Sequence, residues 1–346
     1  MFNKIFPAFK LVFLFYIISI FKYKKKEKKN EKIITNTIPT IPIPTPIPIA
    51  FAIDNKYTYP LIVLLTSILY NSMPTTLYNF NIMVPYDFME DNKQKINGIC
   101  KKYHNCQIIF HNLGQKYQDW ETNFDYYPVT VYYRLSLPDI IKDIDKIIYL
   151  DIDTMVHKDL TEFYNIDMKE YYFMGFPGHE IGYTEINGTR NFINSGVILM
   201  NLKLLRKINA PKLFDDYYHT YGTKKVDEYL INVLFYDKIS FLPFKYGIPD
   251  FEKGRDIADS PLYFWNTLNG YCKGTPEEMI SGSENRVITH GAYVVEKWWT
   301  RNYESLSNIG KKWIFYASKS NVFKEICDYY SQYQTVCENL KKSNHT

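Results

Sequence analysis

The chain has 346 residues, 46% of them apolar and 23% charged, with 15 Gly and 17 Pro. That length supplies one large or two small domains with a sizeable core, and the composition excludes a fibrous or wholly disordered chain. The net charge of +4 is uneven: residues 1–32 hold nine Lys and two Glu, which leaves the remainder at −3 and argues against nucleic-acid binding by bulk charge.

Residues 5–21 are apolar apart from Lys10 and Ser19, and at 17 residues they fall short of the ~20 that cross a bilayer comfortably. Six lysines between residues 22 and 29 follow at once, with no small-residue cleavage site. The segment therefore reads as a membrane anchor or interfacial segment rather than a cleaved signal peptide. If it spans, its heavier positive flank puts residues 22 onward at the cytoplasmic face. The alternative is a type II protein of the secretory pathway, where Asn187-Gly188-Thr189 and Asn344-His345-Thr346 would be glycosylation acceptors. Residues 38–49 alternate Pro with Ile and Thr and read as an extended polyproline linker. The expected organisation is an anchor over 1–21, a linker over 22–48, one α/β domain over 49–317, and a closing helix with a polar tail over 318–346, which carries no recognisable chemistry.

From residue 48 the pattern changes to strands alternating with helices. Residues 48–53 read as a strand, Asp54-Asn55-Lys56-Tyr57 as a polar turn, 59–70 as an apolar helix, 77–84 as a strand, 90–103 as an amphipathic helix and 106–113 as a third strand. An irregular stretch over 114–127, rich in Tyr, Trp and Asp, suits a mobile aromatic lid. A helix over 128–137 and a buried strand over 146–150, running into Asp151, come next. Strands over 171–176, 197–201 and 286–289, the last ending at His290, and helices over 203–207 and 227–236 complete the pattern. Such alternation predicts an α/β fold whose mostly parallel sheet carries helices on both faces and binds ligands beyond the carboxyl ends of its strands. Asp54 and Asp151 fall at such ends. The five cysteines are odd in number and lack a Cys-x-x-Cys pair, so neither a zinc module nor a disulfide framework is expected.

The sharpest feature is Ile147-Ile148-Tyr149-Leu150-Asp151-Ile152-Asp153. Carboxylates at i and i+2 of an extended strand share a side, while Ile152 points the other way. Two acids so close repel one another unless a cation joins them, and hard oxygen ligands favour Mg²⁺ or Mn²⁺. An added imidazole, with His290 as the candidate, shifts the choice toward Mn²⁺. A solvated pair capping the next helix explains a lone D-x-D equally well.

Further motifs give the pair a context. Residues 51–57 (Phe-Ala-Ile-Asp-Asn-Lys-Tyr), Tyr132-Tyr133-Arg134-Leu135, residues 149–153, Phe192-Ile193-Asn194-Ser195-Gly196-Val197, Asp227-Glu228-Tyr229-Leu230-Ile231-Asn232 and residues 290–299 occur in the order of six motifs of glycosyltransferase family 8. Over about residues 48–300 the chain resembles that family, the retaining nucleotide-sugar enzymes that include lipopolysaccharide galactosyl- and glucosyltransferases and glycogenin. The resemblance implies a single GT-A-type, Rossmann-like domain that moves glucose or galactose from UDP-glucose or UDP-galactose to a glycan, lipopolysaccharide, glycolipid or other saccharide acceptor.

It also implies roles. Asp151, Asp153 and His290 would hold Mn²⁺ or Mg²⁺. Tyr57 would stack on uracil and Asp54 would accept a hydrogen bond from the base, with Ala52 and Ile152 lining the same nucleotide site. Arg134 would reach the phosphates or the sugar, and Lys297 the diphosphate. Asn194, Asp227 and Glu228 would lie nearest the reacting carbon, Asp227 bonding sugar hydroxyls. The family's usual residue at position 228 is Gln, a poor nucleophile; the carboxylate of Glu228 permits double displacement beside front-face attack. The closing motif departs from the family, with Gly291 directly after His290 and Trp298 in place of Pro. Two alternatives stay open: a haloacid-dehalogenase-like phosphohydrolase, suggested by Asp151-Ile152-Asp153-Thr154, and a non-catalytic nucleotide-sugar-binding protein.

Overall fold

A computed structural model describes residues 45–122, 127–178, 192–223, 226–250, 261, 274–291 and 297–343. The segments expected as an N-terminal anchor and as a linker, up to residue 44, and both Asn-x-Thr triplets lie outside the described residues. Among the described residues no helix is long and apolar enough to cross a membrane.

Strand β1 (Ile47–Ala52) is buried over almost its whole length. Strands β2 (Tyr78–Val84) and β3 (Cys106–Asn112) pair with it in parallel succession. Helix α1 (Thr58–Tyr70) is apolar on every side because it lies between the sheet and a later helix, and Leu61 to Leu69 are buried. Helix α2 (Glu90–Tyr103) buries only Ile96 and Ile99 and presents its lysines outward. Then comes a 3₁₀ segment, Val129–Ser136, continued by one α-helical turn, Leu137–Ile140, where a regular helix was expected.

Strands β4 (Ile147–Leu150), β5 (Thr154–Val156), β6 (Phe173–Pro177) and β7 (Ile193–Met200) follow, then helices α3 (Leu202–Lys207), α4 (Ala210–Tyr221) and α5 (Asp227–Phe235). Strands β8 (Ile239–Phe241) and β9 (Tyr246–Pro249), helix α6 (Pro276–Glu284) and strand β10 (Ile288–His290) precede the closing helices α7 (Asn308–Ser318), α8 (Phe323–Tyr329) and α9 (Gln334–Ser343).

The main sheet has seven strands in the order β3-β2-β1-β4-β7-β6-β8. It is parallel except for β7, which runs against both β4 and β6. The α/β expectation, a mostly parallel sheet flanked by helices, therefore holds. A second sheet, β5-β10-β9, stands beside it and carries His290.

Three local expectations change. The D-x-D is not extended: β4 ends at Leu150, and Asp151–Asp153 form a turn in which Thr154 donates to the Asp151 carbonyl through both its amide (3.2 Å) and its hydroxyl (2.7 Å). The turn is needed because β5 leaves the main sheet for the second one. Disulfides join Cys100 to Cys106 and Cys327 to Cys337, while Cys272 lies outside the described residues. Both pairs are local, across a helix–strand turn and between α8 and α9, so the odd total hid them. Finally, the stretch expected as an aromatic lid turns Trp120 inward. That ring is buried and stacks on Tyr218 of α4 with ring centres 3.9 Å apart, while Tyr132 donates its hydroxyl to the Glu121 carbonyl (2.5 Å).

Candidate active site

Asp151 follows the carboxyl end of β4, Asp153 completes the turn, and β10 lies antiparallel to β5 with His290 opposite Thr154. This brings His290 Nε2 to 3.2 Å from Asp153 Oδ1 and 3.9 Å from Asp151 Oδ2. One ligand atom from each of the three side chains lies within 4.8 Å of the others. Gly196 of β7 keeps the space beside them open: a Cβ there would collide with His290 Cε1 and come within 2.6 Å of Asp151 Oδ2. Two carboxylate oxygens and one imidazole nitrogen around a cradle that only glycine leaves empty fit a divalent cation such as Mn²⁺.

The acids already have cationic neighbours. Arg134, with 3% of its side chain exposed, donates from Nη2 to Asp151 Oδ1 (2.8 Å) and from Nη1 to the Ser195 carbonyl (2.5 Å), and its Nε lies 3.0 Å from Asp227 Oδ2. Its guanidinium also covers the Tyr149 ring at 4.1 Å. Burial alone would lower the Arg134 pKa, but Asp151 and Asp227 outweigh it and keep the group charged. The donors of Arg134 thus serve these carboxylates and the β7 backbone rather than an open surface.

Lys297 Nζ sits 2.5 Å from Asp153 Oδ2 and donates to the Gly291 carbonyl (2.9 Å). Burial would raise the Asp153 carboxyl, yet Lys297 and His290 hold it far below the usual range. Asp227, enclosed at the start of α5, is pushed up to about 6 chiefly by burial, with Arg134 opposing and Asp151 adding to the rise.

Glu228, in the same first helical turn, accepts at Oε2 from Asn194 Nδ2 (2.9 Å) and from the Ser195 amide (3.0 Å). Asn194 Oδ1 in turn accepts from the Gly196 amide (3.0 Å). Asn232 stitches α5 to β7, accepting from the Ile193 amide (2.8 Å) and donating to the Ile193 carbonyl (2.9 Å). Arg134 thus links Asp151 to Asp227, and β7, through Asn194 and Gly196, links Glu228 to the Asp151–His290 side.

The opposite wall carries the other candidates. Asp54 ends β1 and caps a short 3₁₀ turn, accepting from the Lys56 amide (2.8 Å); burial, helped by Asp87, raises its pKa. Tyr57 is raised by burial and by the charges of Asp54 and Asp153, which sets it between the β1 end and the D-x-D, and its ring meets Trp299 edge-on at 6.4 Å. Ala52 and Ile152 are half-buried nearby in the chain, Ile152 packing against the core. Sequence reasoning missed Tyr149 and Ser195 as partners of Arg134. Both lie inside quoted motifs, but a packing ring and a backbone carbonyl leave no pattern of their own.

The sequence matches the glycosyl transferase family 8 profile over residues 48–249. No curated protein sequence matches the chain. Among solved structures, the galactosyltransferase LgtC in complex with donor and acceptor sugar analogs is 22% identical with a TM-score of 0.63, the alignment covering 80% of this chain and 96% of that one. GlyE of Streptococcus pneumoniae is 19% identical with a TM-score of 0.56, covering 78% and 60% of the two chains. Mouse xyloside xylosyltransferase 1 is 15% identical with a TM-score of 0.50, covering 73% and 100%. These likenesses report the fold. The profile match takes in more than half of the chain, including Asp151, Asp153, Asn194 and Glu228, and it displaces the phosphohydrolase alternative. With that match the chain belongs to glycosyltransferase family 8 and is a glycosyltransferase of GT-A fold.

Proposed function

We propose that the protein is a divalent-metal-dependent, retaining hexosyltransferase that uses UDP-glucose or UDP-galactose and a saccharide or glycolipid acceptor. The observation that carries this reading is the Asp151–Asp153–His290 cluster around the Gly196 cradle, with Glu228 and Asn194 beside it. Asp151, Asp153 and His290 would hold Mn²⁺ or Mg²⁺, which when bound neutralises the donor diphosphate and improves it as a leaving group. Tyr57 offers a ring to the base and Asp54 a hydrogen-bond acceptor. Lys297 adds positive charge on the phosphate side. Arg134 fixes Asp151 and Asp227, and Asp227, enclosed at the start of α5, braces Arg134 rather than facing the sugar hydroxyls as the resemblance implies.

Glu228 is the candidate nucleophile. Two N–H donors hold its Oε2, and a carboxylate can attack the anomeric carbon as the bond to the UDP oxygen breaks, forming a glycosyl ester that the acceptor hydroxyl then displaces. Glu228→Gln restores the family's usual residue and separates the routes. A kcat loss of about 100-fold or more supports double displacement, and an unchanged kcat assigns retention to front-face attack.

Thermal unfolding of the full chain with UDP, Mn²⁺ or both tests the site. Together, at about 100 times their Kd, they should stabilise the fold by about 2.7 kcal/mol, and Asp153→Asn should abolish the gain. A cooperatively folded protein that responds to neither overturns the reading. Stabilisation without any UDP release on incubation with UDP-glucose or UDP-galactose would identify a binding protein instead.

Two disulfides favour the second placement considered from sequence, a domain on the non-cytoplasmic side of a type II anchor, because disulfides persist in oxidising compartments. Alkylating the protein at the moment of cell lysis checks this. One reactive thiol per chain supports it, and five place the domain in a reducing compartment.

A further inference from the structure

Trp298, where family 8 carries Pro, joins the crevice to the C-terminal helices. It is buried, and its indole N–H donates to Asp250 Oδ2 (3.0 Å), which also accepts from Ser307 Oγ (2.7 Å). The Trp298 carbonyl accepts the Tyr333 hydroxyl, and the next carbonyl, Trp299, accepts Gln332 Nε2 (2.6 Å). Two successive carbonyls directly after Lys297 are thus held by two successive side chains of one 3₁₀ turn, Ser331–Tyr333.

That turn is itself fixed. Tyr333 is fully buried and stacks on Trp313 of α7 with centres 5.8 Å apart, and burial pushes its pKa up, so its hydroxyl stays a donor. Trp313 meets Trp299 at 6.2 Å, and Trp299 meets Tyr57 at 6.4 Å. A continuous row of rings therefore runs from Tyr333 to the base-side Tyr57. The Cys327–Cys337 disulfide ties α8 to α9 on either side of the turn.

We propose that Tyr333 and Gln332 are positioning residues for the nucleoside diphosphate of the donor. By holding residues 298–299 they set Lys297 against Asp153 and Trp299 against Tyr57, and the Cys327–Cys337 disulfide keeps the brace closed. The C-terminal segment, which the sequence presented as a tail without chemistry, is in this reading part of the donor site. The inference rests on the UDP-sugar reading above. The base and diphosphate are held in the ground state and the transition state alike, so a brace that sets their contacts should act on donor affinity rather than on turnover.

Tyr333→Phe keeps the stacked ring and removes the hydroxyl. The expected result is a rise of about five- to tenfold in the donor KM, and in the Kd for UDP with Mn²⁺, while kcat stays within about twofold. The Cys327→Ser/Cys337→Ser variant should reproduce the rise. Reductant should produce it in the wild type and in a Cys100→Ser/Cys106→Ser control, but add nothing in the first double variant. An unchanged KM, or a kcat that falls in step with fold stability, overturns the proposal. If the wild type binds no UDP, the UDP-sugar reading has failed and hydrogen exchange judges the brace. Protection of the amides over residues 298–301 should then drop in Tyr333→Phe, and unchanged protection overturns the brace as well.

Discussion

The two walls of the crevice are built by opposite means. On the side of β4, β7 and α5, one enclosed guanidinium binds Asp151, Asp227 and the Ser195 carbonyl. On the side of Tyr57 and Lys297, one partly exposed ion pair to Asp153 is set in place by ring contacts and two hydrogen bonds from the C-terminal turn. A charge wall of the first kind is all-or-none, because any partner removed leaves another charge buried and unpaired. A ring-packed wall is graded, since each contact contributes a fraction and the remaining ones persist.

The largest expected effect follows from that difference. Arg134→Met strands Asp151 and Asp227 and should cost about 3–5 kcal/mol in urea unfolding, with transfer activity lost. A loss below about 1 kcal/mol would break the comparison. Trp120→Ala, behind the same wall, removes a buried ring stacked on Tyr218 and should cost about 3 kcal/mol. The donor KM of this variant should stay within about twofold, which separates its structural role from that of a lid. On the other wall, Lys297 is a third exposed (34%) but its partner Asp153 is buried and keeps His290 beside it, so Lys297→Met should cost about 2–3 kcal/mol, less than Arg134→Met. The Kd for UDP should also rise about tenfold by calorimetry, the loss expected for one charge-assisted contact. A stability loss equal to that of Arg134→Met would show that both walls are charge-built.

The same contrast explains what the sequence made legible. Strands β1 and β4 are continuous buried apolar runs and β2 alternates Asn with apolar residues before an apolar end, so they and the acids ending β1 and β4 were readable from periodicity alone. The strand ending at His290 was readable from the short buried apolar pair Val287 and Ile288. The antiparallel course of β7 was not, because strand direction is set by connections and leaves no mark on the apolar pattern. The turn at the D-x-D was hidden by Ile152, which continues the apolar alternation through residues that leave the strand. Arg134 was singled out by its motif, but its enclosure depends on Tyr149 and Ser195, which come from two other strands. The ring-packed wall was least legible: Trp299, Trp313 and Tyr333 meet across 34 residues of sequence, and nothing in their spacing indicates the contact.

The smallest effect lies behind the second sheet and concerns pH. His157 Nε2 meets the hydroxyl of Thr289 (2.9 Å), next to His290 on β10, and burial, with Lys312 and Arg286 adding to it, pushes the imidazole down to about 3. The folded protein therefore refuses a proton that the unfolded chain accepts near pH 6.5. The stability from this group is complete above pH 6.5 and is lost as the pH falls toward 3, by about 1–2 kcal/mol at pH 5. Asp227, pushed up to about 6, contributes with the opposite sign: its share is complete below about pH 4 and is lost as the pH rises through 6. The two overlap between pH 4 and 6.5, so the slope of the wild type alone reports neither. The difference between wild type and His157→Gln does, because glutamine keeps a hydrogen-bonding group toward Thr289 and cannot titrate. That difference should shrink by about 1–2 kcal/mol between pH 7 and pH 5 in urea unfolding, and a pH-independent difference would show that His157 is solvated and titrates normally.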